Sequence, residues 1–79
     1  MTKDYDAPLH LTRTDPARNM ARFYVLVLQP TLFGGVSVIR KWGRIGTHGR
    51  QKVETYDGGD AASTACRRLE RTKRQRGYR

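Results

Sequence analysis

Apolar and polar side chains alternate from Leu9 to Thr14, with Leu9 and Leu11 set against His10, Thr12 and Thr14. This period of two predicts a short edge strand with its leucines turned inward, ending before the turn signal Asp15-Pro16. After a loop over residues 15–19, the run Met20 to Gln29, MARFYVLVLQ, is dense in aromatic and β-branched residues and predicts the central strand. Phe23, Val25 and Val27 fall on one face and Tyr24, Leu26 and Leu28 on the other, so both faces are expected to be buried, one of them beneath a helix. Pro30 to Gly35 closes the strand, and a hairpin leads into Val36 to Arg44. In that strand Val36, Val38, Arg40, Trp42 and Arg44 share one parity, apolar first and then basic and aromatic. Gly46-Thr47-His48-Gly49 forms the next turn, and Gln51 to Tyr56 reads as a fourth strand with Val53 on the face opposite Lys52 and Glu54.

Asp57-Gly58-Gly59-Asp60 breaks the strand pattern. Asp57 or Asp60 is expected to cap a helix running from Ala61 to Arg76. Ala62, Ala65, Cys66 and Leu69 give it a narrow stripe of small residues for close approach to the sheet, Gly77 suits the position after its end, and Tyr78 is free to fold back on the sheet or to join the binding face. The expected fold class is α+β, an antiparallel sheet of four to five strands packed by one C-terminal helix. Residues 1–7 read as a flexible N-terminus and residues 8–79 as one domain. A chain of 79 residues has room for one modest core and none for a separate catalytic layer.

Charge changes the picture. Sixteen Lys and Arg against seven Asp and Glu give a net charge of +9 and an isoelectric point near 10.6, which points to a polyanionic partner. A hydrophobic content of 37% is low, but the apolar residues are concentrated in a few segments, as a folded domain requires. The charge forms two blocks: Arg40, Lys41, Arg44, Arg50 and Lys52 with no acid among them, and seven basic residues over 67–79 against Glu70 alone. Cys66 is the only cysteine, which excludes an intrachain disulfide and a Cys-rich zinc or redox site, and fits a reducing cytoplasm. The spacing reads Cys66 as a small core residue. His10 and His48 have no carboxylate or thiol at ligand spacing, so no metal or cofactor is expected. No apolar run approaches the roughly 18 to 20 residues of a membrane span, and MTKDYDAPLH lacks the apolar segment of a secretory signal. The expectation is a cytoplasmic protein, with nucleoid association open to it, and with neither a membrane nor a small-molecule partner.

The candidate chemistry lies in RKWGRIGTHG, Arg40 to Gly49. Trp42 offers a flat face that stacks on a sugar or base, and Arg40, Lys41 and Arg44 offer charge for phosphate. A tryptophan beside glycines also serves as a core anchor at a strand end. Trp42 falls where the strand has already turned basic, which favours contact with a partner. The glycines, Gly43 among them, permit close backbone approach. His48, Arg50 and Lys52 extend this edge, and Arg67, Arg68, Arg71 and Arg74 on the helix are expected to make a second phosphate contact, because such a surface repels itself without a polyanion. Two functions follow: a nucleic-acid binding module, favouring DNA over RNA, or an adaptor that docks an acidic protein through the same edge. No nucleophile, base and orienting group stand at usable spacing for an enzyme.

The run Trp42-Gly43-Arg44-Ile45-Gly46-Thr47, preceded by the apolar strand Phe23 to Leu28 and followed by a short strand and a helix, resembles the WGR domain over Leu9 to Tyr78. That family occurs in DNA-dependent poly(ADP-ribose) polymerases, in bacterial regulators and as small stand-alone bacterial proteins. The resemblance implies an antiparallel sheet packed by one helix and a role in binding nucleic acid. By likeness to the polymerases, Trp42 is set against a terminal nucleotide, Arg44 sits at the contact edge, and Arg40 and Lys41 support it. The motif's arginine also mediates contacts between domains there, which leaves Arg44 open to either nucleic acid or protein. The zinc fingers, helical regulatory domain and transferase fold of the polymerases have no counterpart in these residues, so neither automodification nor activation in cis is implied.

Overall fold

The computed structural model describes Tyr5 and residues 7–79. Four strands, β1 (Leu9–Asp15), β2 (Met20–Pro30), β3 (Val36–Arg44) and β4 (Arg50–Tyr56), form one antiparallel sheet in the order β1-β2-β3-β4, followed by the helix α1 (Gly59–Gln75). The α+β architecture is thus as the alternation predicts, with four strands. A single 3-10 turn, Pro16–Arg18, occupies the loop between β1 and β2, and Asn19 closes it in the left-handed region at φ 51°. β1 continues through Asp15 and β4 begins at Arg50, each one residue beyond its sequence pattern.

Pairing register assigns the faces. The row Leu11, Tyr24, Trp42, Arg50 lies on one face with Leu26, Arg40, Lys52 and with Leu28, Val38, Glu54. The helix covers this face: Leu11, Tyr24, Leu26 and Val38 are buried with Ala62, Cys66 and Tyr78, and each large side chain so buried contributes about 1.5–3 kcal/mol. The other face carries Phe23, Val25, Val27 and Ile39 half-buried. β2 is therefore fully buried on the helix side only, because one helix cannot cover both faces.

The helix begins at Gly59, two residues before the expected start at Ala61. Gly58 is its N-cap, and neither Asp57 nor Asp60 makes a capping hydrogen bond; Asp60 sits in the first turn, where its charge meets the helix dipole. Ala62 and Cys66 are buried and Ala65 and Leu69 pack against the core, as the stripe predicts. Burial pushes the Cys66 thiol up to about 11, Arg67 pulling it down and Glu70 adding to the rise. Gly77, at φ 97°, turns the chain so that Tyr78 packs edge-on against Tyr24 at 6.2 Å, and Arg79 exchanges two 2.8 Å backbone hydrogen bonds with Thr12. Residues 1–4 and Asp6 lie outside the described residues, so the expectation of a flexible N-terminus meets the structure only at Tyr5 and Ala7. Tyr5 is buried, its carbonyl accepts from the Leu28 amide at 3.0 Å, and its hydroxyl donates to Glu70 at 2.6 Å. No helix among the described residues is long and apolar enough to cross a membrane.

Candidate nucleic-acid interface

The helix starts beside Tyr56 at the end of β4 and delivers the C-terminus to Thr12 on β1. It therefore crosses the sheet diagonally. The corner left open is where β3 ends and β4 begins, and Trp42 stands in it. Its ring is half-buried against the core and lies in the row between Tyr24 and Arg50. The Arg40 guanidinium carbon is 5.7 Å from the ring centroid, a cation–π contact.

Arg40 is itself half-buried, with a 3.5 Å ion pair to Glu54. Its Nε and the hydroxyl of Tyr24 are buried without a hydrogen bond among the described residues. Burial raises the Tyr24 phenol above its ordinary value, and the neighbouring Arg40 pulls it back. Arg44 is exposed and donates to the Asn19 carbonyl oxygen at 3.2 Å and to its Oδ1 at 3.4 Å. It thus clamps the β1–β2 turn of its own chain. Arg13, Arg22, Arg50 and Lys52 are the other strand cations on this face.

The turn that carries the edge is built by close packing of glycines. Gly49 has φ 71°, and a Cβ there would run into the Trp42 carbonyl oxygen and come within 2.7 Å of Phe23 Cζ. A Cβ on Gly43 would lie 2.7 Å from the Gly49 Cα. The close approach that glycine allows is thus internal at both positions, locking the return of the chain against the back of Trp42. Thr47 closes the turn, its amide and hydroxyl both donating to the Arg44 carbonyl at 3.0 and 2.8 Å.

The residues singled out from sequence do not form one patch. Arg40, Trp42, Arg44, Arg50 and Lys52 share the helix-side face, whereas Lys41 lies on the opposite face and lines a recess there with His48, Phe23 and Val25. Arg67, Arg71 and Arg74 lie on the outer side of the helix with Glu70, and Arg74 is held to Glu70 at 2.8 Å. Arg68 lines a cleft beside Tyr56. The helix approaches the tryptophan corner through Lys73, a residue of the basic helix surface that sequence reasoning does not single out from its neighbours. Lys73 Nζ sits 4.8 Å from the Tyr24 ring centroid and 5.3 Å from that of Tyr78, and its ammonium is held below its ordinary value by burial and by the fields of Arg76, Arg40 and Arg22. The signal was available: Lys73 and Arg76 continue the Ala62, Cys66, Leu69 stripe at helical spacing.

The chain is similar to an uncharacterized protein, y4dW, of Sinorhizobium fredii (strain NBRC 101917 / NGR234), 46% identical over 71 residues. The match covers 90% of this chain and 35% of that relative, so the chain spans about a third of the relative's length. No solved structure matches. The sequence pattern that defines the WGR domain, a non-catalytic module associated with nucleic-acid binding, matches residues 7–79, and the chain belongs to the WGR domain family.

Proposed function

We propose that this domain binds nucleic acid, DNA ahead of RNA, through the open corner around Trp42, without catalysing a reaction. The observation that carries the reading is that one aromatic ring stands half-open in a row of cations, Arg22, Arg40, Arg44, Arg50, Lys52 and Lys73, with Glu54 the acid paired among them. Such a surface suits a phosphate backbone, and the exposed part of the ring suits a base or sugar that is not stacked within a duplex. A duplex end offers that group. The adaptor alternative, an acidic protein on the same edge, shares the charge and the ring but does not distinguish an open duplex end from a closed one.

The test is a competition at physiological salt between a linear duplex and the same duplex closed by hairpins at both ends, for the natural chain and Trp42→Ala. The linear duplex is expected to bind more tightly, Trp42→Ala to lose that preference, and affinity to fall steeply with salt. Equal affinity for the two duplexes refutes end recognition. Affinity indifferent to salt refutes nucleic-acid binding through these cations.

A further inference from the structure

The two edges of the sheet differ. β1 is occupied at Thr12, which exchanges backbone hydrogen bonds with Arg79, whereas β4 has β3 as its one neighbour among the described residues. Charged side chains on an edge strand normally discourage pairing. Arg50 and Lys52 would do so against an arbitrary strand, but Glu54 makes β4 complementary to itself.

When β4 is laid antiparallel on a second copy with Val53 on the two-fold axis, Lys52 faces Glu54 twice, Gln51 faces Thr55 twice and Arg50 faces Tyr56 twice. No like charges meet among the facing residues of the two strands. Centring the pair on Lys52 or on Glu54 sets like charges face to face, and centring it on Gln51 sets Arg50 against Lys52. The apolar pattern agrees. Val27, Ile39 and Val53 form one row across β2, β3 and β4 on the helix-free face, and the row ends at Val53, which is 51% exposed. The second copy continues it with its own Val53, Ile39 and Val27, a ladder of β-branched side chains of the kind that stabilises adjacent strands. Beside Tyr56 lies a cleft lined by Asp60, Thr64 and Arg68, open to receive the partner's Arg50 against the Asp60 carboxylate.

We propose that two copies of this chain associate edge to edge through β4, in this register, into one continuous eight-stranded sheet. A two-fold axis normal to the sheet puts both helices and both Trp42 corners on the same face.

Sedimentation equilibrium of the full chain in about 0.15 M salt, without nucleic acid, tests the register independently of the proposed function. The natural chain is expected to form dimers as concentration rises. Lys52→Glu and Glu54→Lys each turn two attractive pairs repulsive and are expected to weaken self-association roughly tenfold or more. Mixed in equal amounts, the two variants carry opposite charges wherever positions 52 and 54 face each other and are expected to form heterodimers, and the double swap K52E/E54K to recover homodimers. Glu54→Lys also removes the ion partner of Arg40, in the double swap as well as alone, so should it fail to fold, Lys52→Glu carries the test. A natural chain that stays monomeric, or single swaps that leave association unchanged, overturns the proposal.

Discussion

Replacing Gly49 by alanine puts two costs on one residue, and the structure separates them. The first is conformational: φ is 71°, and a Cβ in the left-handed region costs about 1–2 kcal/mol. The second is steric. The new Cβ meets the Trp42 carbonyl group, with its carbon at 2.9 Å, and Phe23 Cζ at 2.7 Å, and the backbone side cannot swing away as a side chain would. Overpacking of this kind adds about 1–3 kcal/mol. The sum, about 2–5 kcal/mol, is a large share of the 5–15 kcal/mol typical of a folded domain and corresponds to a fall in melting temperature of roughly 10 °C or more. Gly46→Ala is the control, because Gly46 has φ 96° and no atom within 4 Å of its added Cβ. It carries the conformational cost alone. Denaturation followed by fluorescence of Trp42, the only tryptophan, measures both variants, and Gly49→Ala is expected also to shift the native emission because the clash bears on the Trp42 backbone. Equal losses in the two variants, to within about 0.5 kcal/mol, would show that the Gly49 contact yields freely and that the turn does not hold the tryptophan.

Neutralising Lys73 and Arg76 together is expected to lower the salt slope of DNA binding by about 2, while neutralising Arg67 and Arg71 on the outer helix face changes it less; a larger effect from the outer pair would move the interface off the Trp42 corner. Glu70 is held below the ordinary carboxyl value of 4.5 by the Tyr5 hydroxyl and then by Arg74, so it contributes stability above that pH which is lost as pH falls through the lowered value. Tyr5→Phe is therefore expected to cost about 1 kcal/mol at neutral pH and progressively less on acidification, and a difference that stays constant into the acid limb of a denaturation series counts against this role. With its thiol near 11 instead of the ordinary 9.0, Cys66 is expected to react with a disulfide reagent at pH 8 roughly 100-fold more slowly in the native chain than in the denatured one. Comparable rates would mean that the helix opens readily from the sheet.

Most of the fold was legible because strands declare themselves by local alternation. β3 matches its sequence pattern residue for residue, and the face that bears Tyr24 and Leu26 follows from counting by twos. The helix cap was not legible. Two aspartates beside two glycines suggest a side-chain cap, but the chain uses the extended backbone of Gly58 (φ −151°), and the first turn makes do with the nearby charge of Asp60. Tyr5 was hidden for another reason. It lies among charged residues with no periodicity of its own, and its burial depends on Leu28 and Glu70, which are brought beside it by the finished sheet and helix.

The site was legible in composition and less so in arrangement, and the difference turns on the path of one helix. Parity already separates Lys41 from Arg40, Trp42 and Arg44, but it does not say which corner of the face stays open. That depends on the helix crossing diagonally, which the Tyr78–Tyr24 contact and the Arg79–Thr12 hydrogen bonds secure at its far end. The same diagonal dissolves the choice between core anchor and binding residue for Trp42. One part of the ring packs on the core, the Arg40 guanidinium lies within 5.7 Å of it, and the rest faces solvent. On the proposed reading these are two halves of one device. A ring already immobilised by packing gives up little rotamer freedom when a nucleotide meets it, so burial of one part raises the affinity available from the other.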